Sequence, residues 1–132
     1  VLATALLEAF GVYTSKTFSL IETGEELVRG DEPSPTRSSV LVRLSHSHLR
    51  FGTFQRCLAS NDQAGIATLV AHGIRHYHPS AARGGDVTEE APALLAAVVA
   101  ATGSLVGEWM AAGFVHGVLN TDNMVVTGES FD

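Results

Sequence analysis

Cysteine is nearly missing from this chain. Cys57 stands alone among 132 residues, so no disulfide can close within the sequence and a reducing compartment is the default setting. The lone thiol reads either as a reactive group or as a small buried side chain, the commoner fate of a free cysteine. Basic residues are also few. Eight Lys and Arg face fourteen Asp and Glu, for a formal charge of −6, whereas nucleic-acid binding normally needs clustered cations to displace counterions. No nucleic-acid partner is expected, although a small anion held by two or three arginines remains open. The first residues have neither the basic stretch nor the small-residue cleavage site of a signal peptide. A full membrane span is missing too: the uncharged run from Ala91 to Gly107 falls short of the roughly 20 residues required. Its flanks, Glu89, Glu90 and Glu108, supply no positive-inside signal, so a buried helix and no membrane partner are expected.

The residues that are present divide into recognisable elements. Leu2, Leu6, Leu7 and Phe10 recur at helical spacing and Gly11 follows as a stop. The segment from Thr14 to Gly24 has the aromatic and β-branched content of a strand, with Thr23-Gly24 as its turn. Residues 29–39 are polar with two prolines and form a loop. Val40, Val42 and Leu44 alternate with Leu41 and Arg43, which predicts a strand with one buried and one mixed face. Leucines with Ile66 and Val70 predict a helix over 55–71, weakened by Gly65. A loop closed by Pro79 and Gly84-Gly85 follows, in which Gly73 and Pro79 should break any helix carrying His72 and His76. Thr88, the acids after it and Pro92 mark the start of a long apolar helix that ends at Gly113. The class is α+β, without repeats. The absence of an initiator Met and the stop just after a turn into a strand read as an excerpt of a longer chain.

The chemistry concentrates in "HGVLNTDNMVVTGESFD". Three apolar residues, a Thr127-Gly128 turn and a return strand would bring Asn123 and Asp132 face to face across a hairpin. Hard oxygen ligands of that kind suit Mg2+ bound with phosphates better than zinc. Asp122, beside the Asn, is then free to accept a proton from an attacking hydroxyl. That division of labour is the one used in kinase-like phosphoryl transfer. Kinase loops read H-x-D and then an Asn after four intervening residues; here Val118 occupies the acid's place and the acid has moved to Asp122. A capped, turn-prone loop is the bland alternative. Arg43 and Arg50, seven apart around a strand end, could clamp a polyphosphate or simply be solvated surface. His72, His76 and His78 lack a neighbouring Cys or carboxylate and read as incidental rather than a metal site. His46 and His48 alternate with Ser45 and Ser47, and adjacent residues point to opposite faces of a strand, so no Ser sits with a neighbouring His as nucleophile and base, against a hydrolase. Trp109 and Phe114 read as core.

The segments "GVYTSKTFSLIETGE", "VRLSHSHLRFGTFQR" and "HGVLNTDNM…FD" together resemble the selenoprotein O family of protein adenylyltransferases, across nearly the whole chain. The resemblance implies a protein-kinase-like fold, with residues 1–54 ending an N-lobe and hinge and residues 55–132 beginning a mostly helical C-lobe with the catalytic loop. It implies ATP as substrate, bound in reversed orientation, Mg2+ or Mn2+ as the metal, and AMP transfer to Ser, Thr or Tyr of target proteins. By the same resemblance Asp122 is the proton acceptor, Asn123 and Asp132 are metal ligands, and Asp132, Arg43 and Arg50 contact the nucleotide. The family's glycine-rich loop and ATP-contacting Lys precede the point where this chain begins. The Glu that pairs with that Lys is Ala5 here, with Glu8 three residues away. A conventional phosphotransferase and a non-catalytic pseudokinase module are the alternative functions. A cytoplasmic bacterial setting is expected, or a mitochondrial one in a eukaryote.

Overall fold

The computed structural model describes residues 1–130; Phe131 and Asp132 lie outside it. Helix α1 (Leu2–Ala9) leads into a two-stranded antiparallel sheet, β1 (Lys16–Leu27) and β2 (Thr36–Leu44). Three helices follow: α2 (Phe51–Ala59), α3 (Gln63–His76) and α4 (Val87–Ala111), with a short 3-10 turn at Pro79–Ala81. The expected α+β order of helix, two strands and then mostly helix is what the chain adopts.

Two helix ends share one device. After α1, Gly11 takes a left-handed φ of 76°, its N–H bonds the carbonyl of Glu8, and the Val12 N–H reaches back to Leu7 at 2.9 Å. After α4, Gly113 at φ 72° bonds Met110, and the Phe114 N–H bonds Trp109 at 2.8 Å. Each is a Schellman ending, in which the residue after the glycine packs on the last turn. Val12 meets Leu7, and the Phe114 ring stands edge-on to Trp109 at 5.7 Å. Leu7, Val12, Leu105, Trp109 and Met124 thereby form one buried cluster. Val70, Ile74 and Leu94 form a second, where Gly73 lets α3 approach α4: a Cβ on Gly73 would sit 3.0 Å from a Leu94 methyl.

Several local expectations need correction. Thr23-Gly24 is not the hairpin turn; Gly24, at φ 76°, lies inside β1, where the register to β2 shifts between Glu22 and Glu26. The left-handed glycine makes a bulge and the strand continues. β2 lacks the expected buried face, because Val40, Leu41, Val42 and Leu44 are all exposed and only Ser38 is buried. A two-stranded sheet on its own cannot cover both of its faces. The helix expected over 55–71 is two helices. Asn61 at φ 56° ends the first, and the Asp62 carboxylate caps the second by accepting from the Gly65 N–H at 2.8 Å. Gly65 has a reason to be glycine, since a Cβ there would collide with that carboxylate. Gly73 does not break α3, which runs to His76 and brings the His72 and His76 rings together, tilted, with centres 4.5 Å apart. In α1 the buried residues are Thr4 and Leu7, while Leu2, Leu6 and Phe10 are exposed.

α4 starts at Val87, with Asp86 rather than Thr88 at its N-terminal cap. The Asp86 carboxylate accepts from both the hydroxyl and the N–H of Thr88. At 25 residues and mean hydropathy 1.6 it is long and apolar enough to cross a membrane by composition alone. It buries Leu94, Leu105 and Trp109 but exposes Leu95, Val99 and Met110. The expected buried helix is therefore covered on one side only among the described residues. An apolar groove of about 520 Å³ runs between α4, Phe54 and Val70.

The packing yields two predictions. Leu105→Ala should cost about 2–5 kcal/mol in urea denaturation, because Leu105 is almost wholly buried beside Trp109. The Thr88 hydroxyl and amide hold the Asp86 carboxyl below its ordinary 3.8. A carboxyl depressed in the folded state adds stability above its unfolded value and loses it as pH falls through the folded one. Asp86→Ala should lower the melting temperature at neutral pH, and the gap should close in melts taken from about pH 6 down to about pH 2.

Candidate active site

The polar knot begins where α4 ends. His116 packs against Trp109 at 5.2 Å between ring centres. Its Nδ1 accepts from the Val118 N–H at 3.3 Å, leaving Nε2 to donate to the Ser130 hydroxyl at 2.7 Å. Asn120 and Asn123 then bind each other's backbone. The Asn120 Oδ1 accepts from the N–H groups of Asp122, at 2.8 Å, and Asn123, at 3.1 Å. The Asn123 Oδ1 accepts from the Asn120 N–H at 3.0 Å, and its Nδ2 donates to the Val118 carbonyl. This doubly closed Asx turn buries Asn123 and leaves Asp122 exposed.

The hairpin after it exists. Val125 N–H bonds the Glu129 carbonyl at 3.0 Å, the Val125 carbonyl accepts from Gly128, and Met124 pairs with Ser130. Gly128 has φ 91°, and a Cβ on it would lie 3.1 Å from the Ala101 carbonyl of α4. Glycine is required there both for the left-handed turn and for the close approach.

The start of α2 clasps this hairpin. The Phe51 N–H bonds the Met124 carbonyl at 3.1 Å and the Gly52 N–H bonds Thr121 at 2.7 Å, so two amides that a helix start leaves unpaired are satisfied by the knot. Arg50 pairs with Val125 through the backbone, Val126 N–H bonds Leu49 at 3.0 Å, and the His78 Nε2 donates to the Val126 carbonyl at 2.7 Å.

Each residue singled out by sequence has a definite place except one. Asp122 and Asn123 are adjacent but diverge, one carboxylate outward and one carboxamide inward. Arg50 is exposed at the N-cap of α2. The Arg43 guanidinium bonds the hydroxyls of Ser15 and Thr4, and the Ser15 hydroxyl donates to the Ser130 carbonyl at 3.0 Å. Both arginines thus belong to segments tied to the same hairpin, Arg50 directly and Arg43 through Ser15. Asp132 lies outside the described residues, so its facing of Asn123 is not placed. Glu8 forms an ion pair with Lys16 on β1.

Sequence reasoning missed Glu129. Its carboxylate is fully buried, at 0% exposure. It accepts from the Ser45 hydroxyl at 3.1 Å, the His46 N–H at 3.1 Å and the Thr127 hydroxyl at 2.8 Å, and it contacts His46 Nδ1 at 3.0 Å. It joins the Arg43–Arg50 segment to the return strand. Tyr13 stacks on the His46 ring at 4.7 Å; burial, with the Glu129 charge adding to it, pushes its phenol above the ordinary value. In sequence, Glu129 reads as one more polar turn residue, and nothing local marks it. Ser15 was equally silent.

Among the described residues no three His, Cys, Asp or Glu side chains converge as a metal cage. The knot offers oxygen chemistry of the kind that suits an ion completing its shell with phosphate and water; the Asn123 Oδ1 already accepts from the Asn120 N–H, and the Asp122 carboxylate points away from it.

Over residues 1–132 the sequence matches the family model described as protein adenylyltransferase SelO. The chain belongs to that family. It is similar to proteins named protein nucleotidyltransferase YdiU: 51% identical to that of Synechocystis sp. over its whole length, covering 28% of the relative. To that of Gloeobacter violaceus it is 51% identical, covering 27%. To that of Mycolicibacterium paratuberculosis it is 40% identical over 96% of this chain, covering 24% of the relative. The chain thus spans about a quarter of the length of these curated relatives.

Glu129→Ala should leave the Thr127 hydroxyl and the His46 amide without their acceptor in a part-buried setting, the Ser45 hydroxyl keeping the Ser47 carbonyl, costing about 1–3 kcal/mol in urea denaturation. Glu129→Gln keeps one acceptor oxygen and should cost less.

Proposed function

We propose that the parent protein transfers AMP from ATP to Ser, Thr or Tyr hydroxyls of target proteins, on a protein-kinase-like frame and in a cytoplasmic setting. The observation that carries this reading is the knot itself. In a member of a protein adenylyltransferase family, a closed turn presents one acid to solvent, and the two candidate phosphate-binding arginines lie on segments tied to its hairpin.

Asp122 is the proton acceptor. Its carboxylate takes the proton of the acceptor hydroxyl, the oxygen bonds to the α-phosphorus, and the bond from that phosphorus to the pyrophosphate oxygen breaks. Arg43 and Arg50 supply donors to the phosphates, where charge grows as pyrophosphate leaves. Asn123 and Asp132 would hold Mg2+ or Mn2+, which when bound offsets phosphate charge. Exposure of Asp122 supports the role, since a protein substrate must bring its hydroxyl to that carboxylate.

The test uses the full-length parent with Mg2+ and ATP labelled at the α or the γ position. Label should reach protein from the α position only. Transfer from γ would make it a phosphotransferase, and transfer from neither a nucleotide-binding scaffold. Asp122→Ala should lower transfer by about 10²–10⁴-fold while nucleotide binding persists, whereas Asp132→Ala should abolish metal-dependent nucleotide binding in titration calorimetry.

A further inference from the structure

Gly52 is the second residue of α2, a position at which glycine is a poor helix former. Its φ is not among the left-handed ones, so the backbone does not require it. What the missing side chain provides is space. A Cβ built on Gly52 would overlap the Asp122 Oδ1, would stand 3.6 Å from the Asp122 Cγ, and would come 3.2 Å from the Thr121 carbonyl. The Gly52 N–H meanwhile holds that same Thr121 carbonyl at 2.7 Å, and Thr121 Oγ1 bonds Gln55 one turn further along α2. The knot is therefore pressed onto the first turn of α2, with the Asp122 carboxylate in the notch left by the glycine.

We propose that Gly52 is a positioning residue for Asp122: the bare first turn of α2 is the seat that sets where the carboxylate meets the incoming hydroxyl. This rests on Asp122 being the proton acceptor. A Cβ at position 52 would meet the Asp122 carboxylate first and the Thr121 carbonyl next, with no atom of Asn123, Arg43 or Arg50 among its three nearest neighbours, so the carboxylate is the group that turns away. The effect should fall on turnover and spare ATP binding, because a displacement of about 1 Å is enough to cost about 10²-fold in rate.

In the full-length parent, Gly52→Ala should lower kcat for AMP transfer by about 10- to 100-fold, with the KM for ATP within about twofold of wild type. The melting temperature should stay within a few degrees of the wild-type value, since alanine suits the helical backbone while its Cβ crowds the Thr121 carbonyl. Adding Gly52→Ala to Asp122→Ala should change residual transfer no further. An equal loss in both backgrounds would show a general structural effect and overturn the proposal. If Asp122→Ala keeps wild-type turnover, the proton-acceptor reading falls and this proposal with it. If Asp122→Ala loses turnover and Gly52→Ala does not, the proposal falls alone. Should Gly52→Ala not fold, the double variant decides. Recovery of folding without the Asp122 carboxylate assigns the notch to that side chain, whereas continued misfolding assigns it to the Thr121 carbonyl and overturns the proposal.

Discussion

Everything at the candidate site depends on how the first turn of α2 satisfies its amides. A helix start leaves several N–H groups without partners inside the helix. Here two of them are met by the carbonyls of Thr121 and Met124, about seventy residues away in sequence. Backbone amides that would otherwise go to water or to a capping side chain become the fastening between two distant segments. Arg50 offers no capping side chain to its own helix, so the 121–124 segment stands in for one. The fastening fixes Asp122 relative to α2, and through the Arg50–Val125 pairing it also fixes the segment carrying both arginines.

The hairpin is held from its other sides by unlike forces. Val125 and Val126 are almost wholly buried, which supplies apolar burial at its tip. Gly128 rests on an α4 carbonyl. Glu129 offers a buried charge whose donors come from Ser45, His46 and Thr127. A buried carboxylate tolerates few arrangements, because each lost donor leaves charge uncompensated. It therefore restricts the loop between Arg43 and Arg50 more tightly than apolar contact would.

Much of this was legible in the sequence where the signal is local. Gly11 and Gly113 end their helices as the spacing implies, the Thr127-Gly128 turn is real, and the Asn-Thr-Asp-Asn run is a closed turn. Resemblance named the family correctly. The misreadings came where local signals carry two meanings. Gly24 marks a bulge as readily as a turn, Gly65 serves the Asp62 cap, and Gly73 permits helix contact instead of ending a helix. The alternation in β2 predicts a buried face only if something covers it, which the sheet of these two strands does not supply. Glu129, Ser15 and Gly52 could not be found from spacing, because Glu129 meets Ser45 and His46 across 83 to 84 residues, Ser15 meets Arg43 and Ser130 across 28 and 115, and Gly52 meets the knot across 69 to 70.

The reciprocal pair of asparagines has a consequence for what kind of residue can occupy position 123. Its side chain closes the loop from both ends, one oxygen taking a backbone hydrogen from Asn120 and one nitrogen giving a hydrogen to Val118. An aspartate there would set oxygen against the Val118 oxygen and repel it. The choice of an amide over an acid at this spot is thus dictated by how the loop folds, before any question of the charge presented to a bound cation arises.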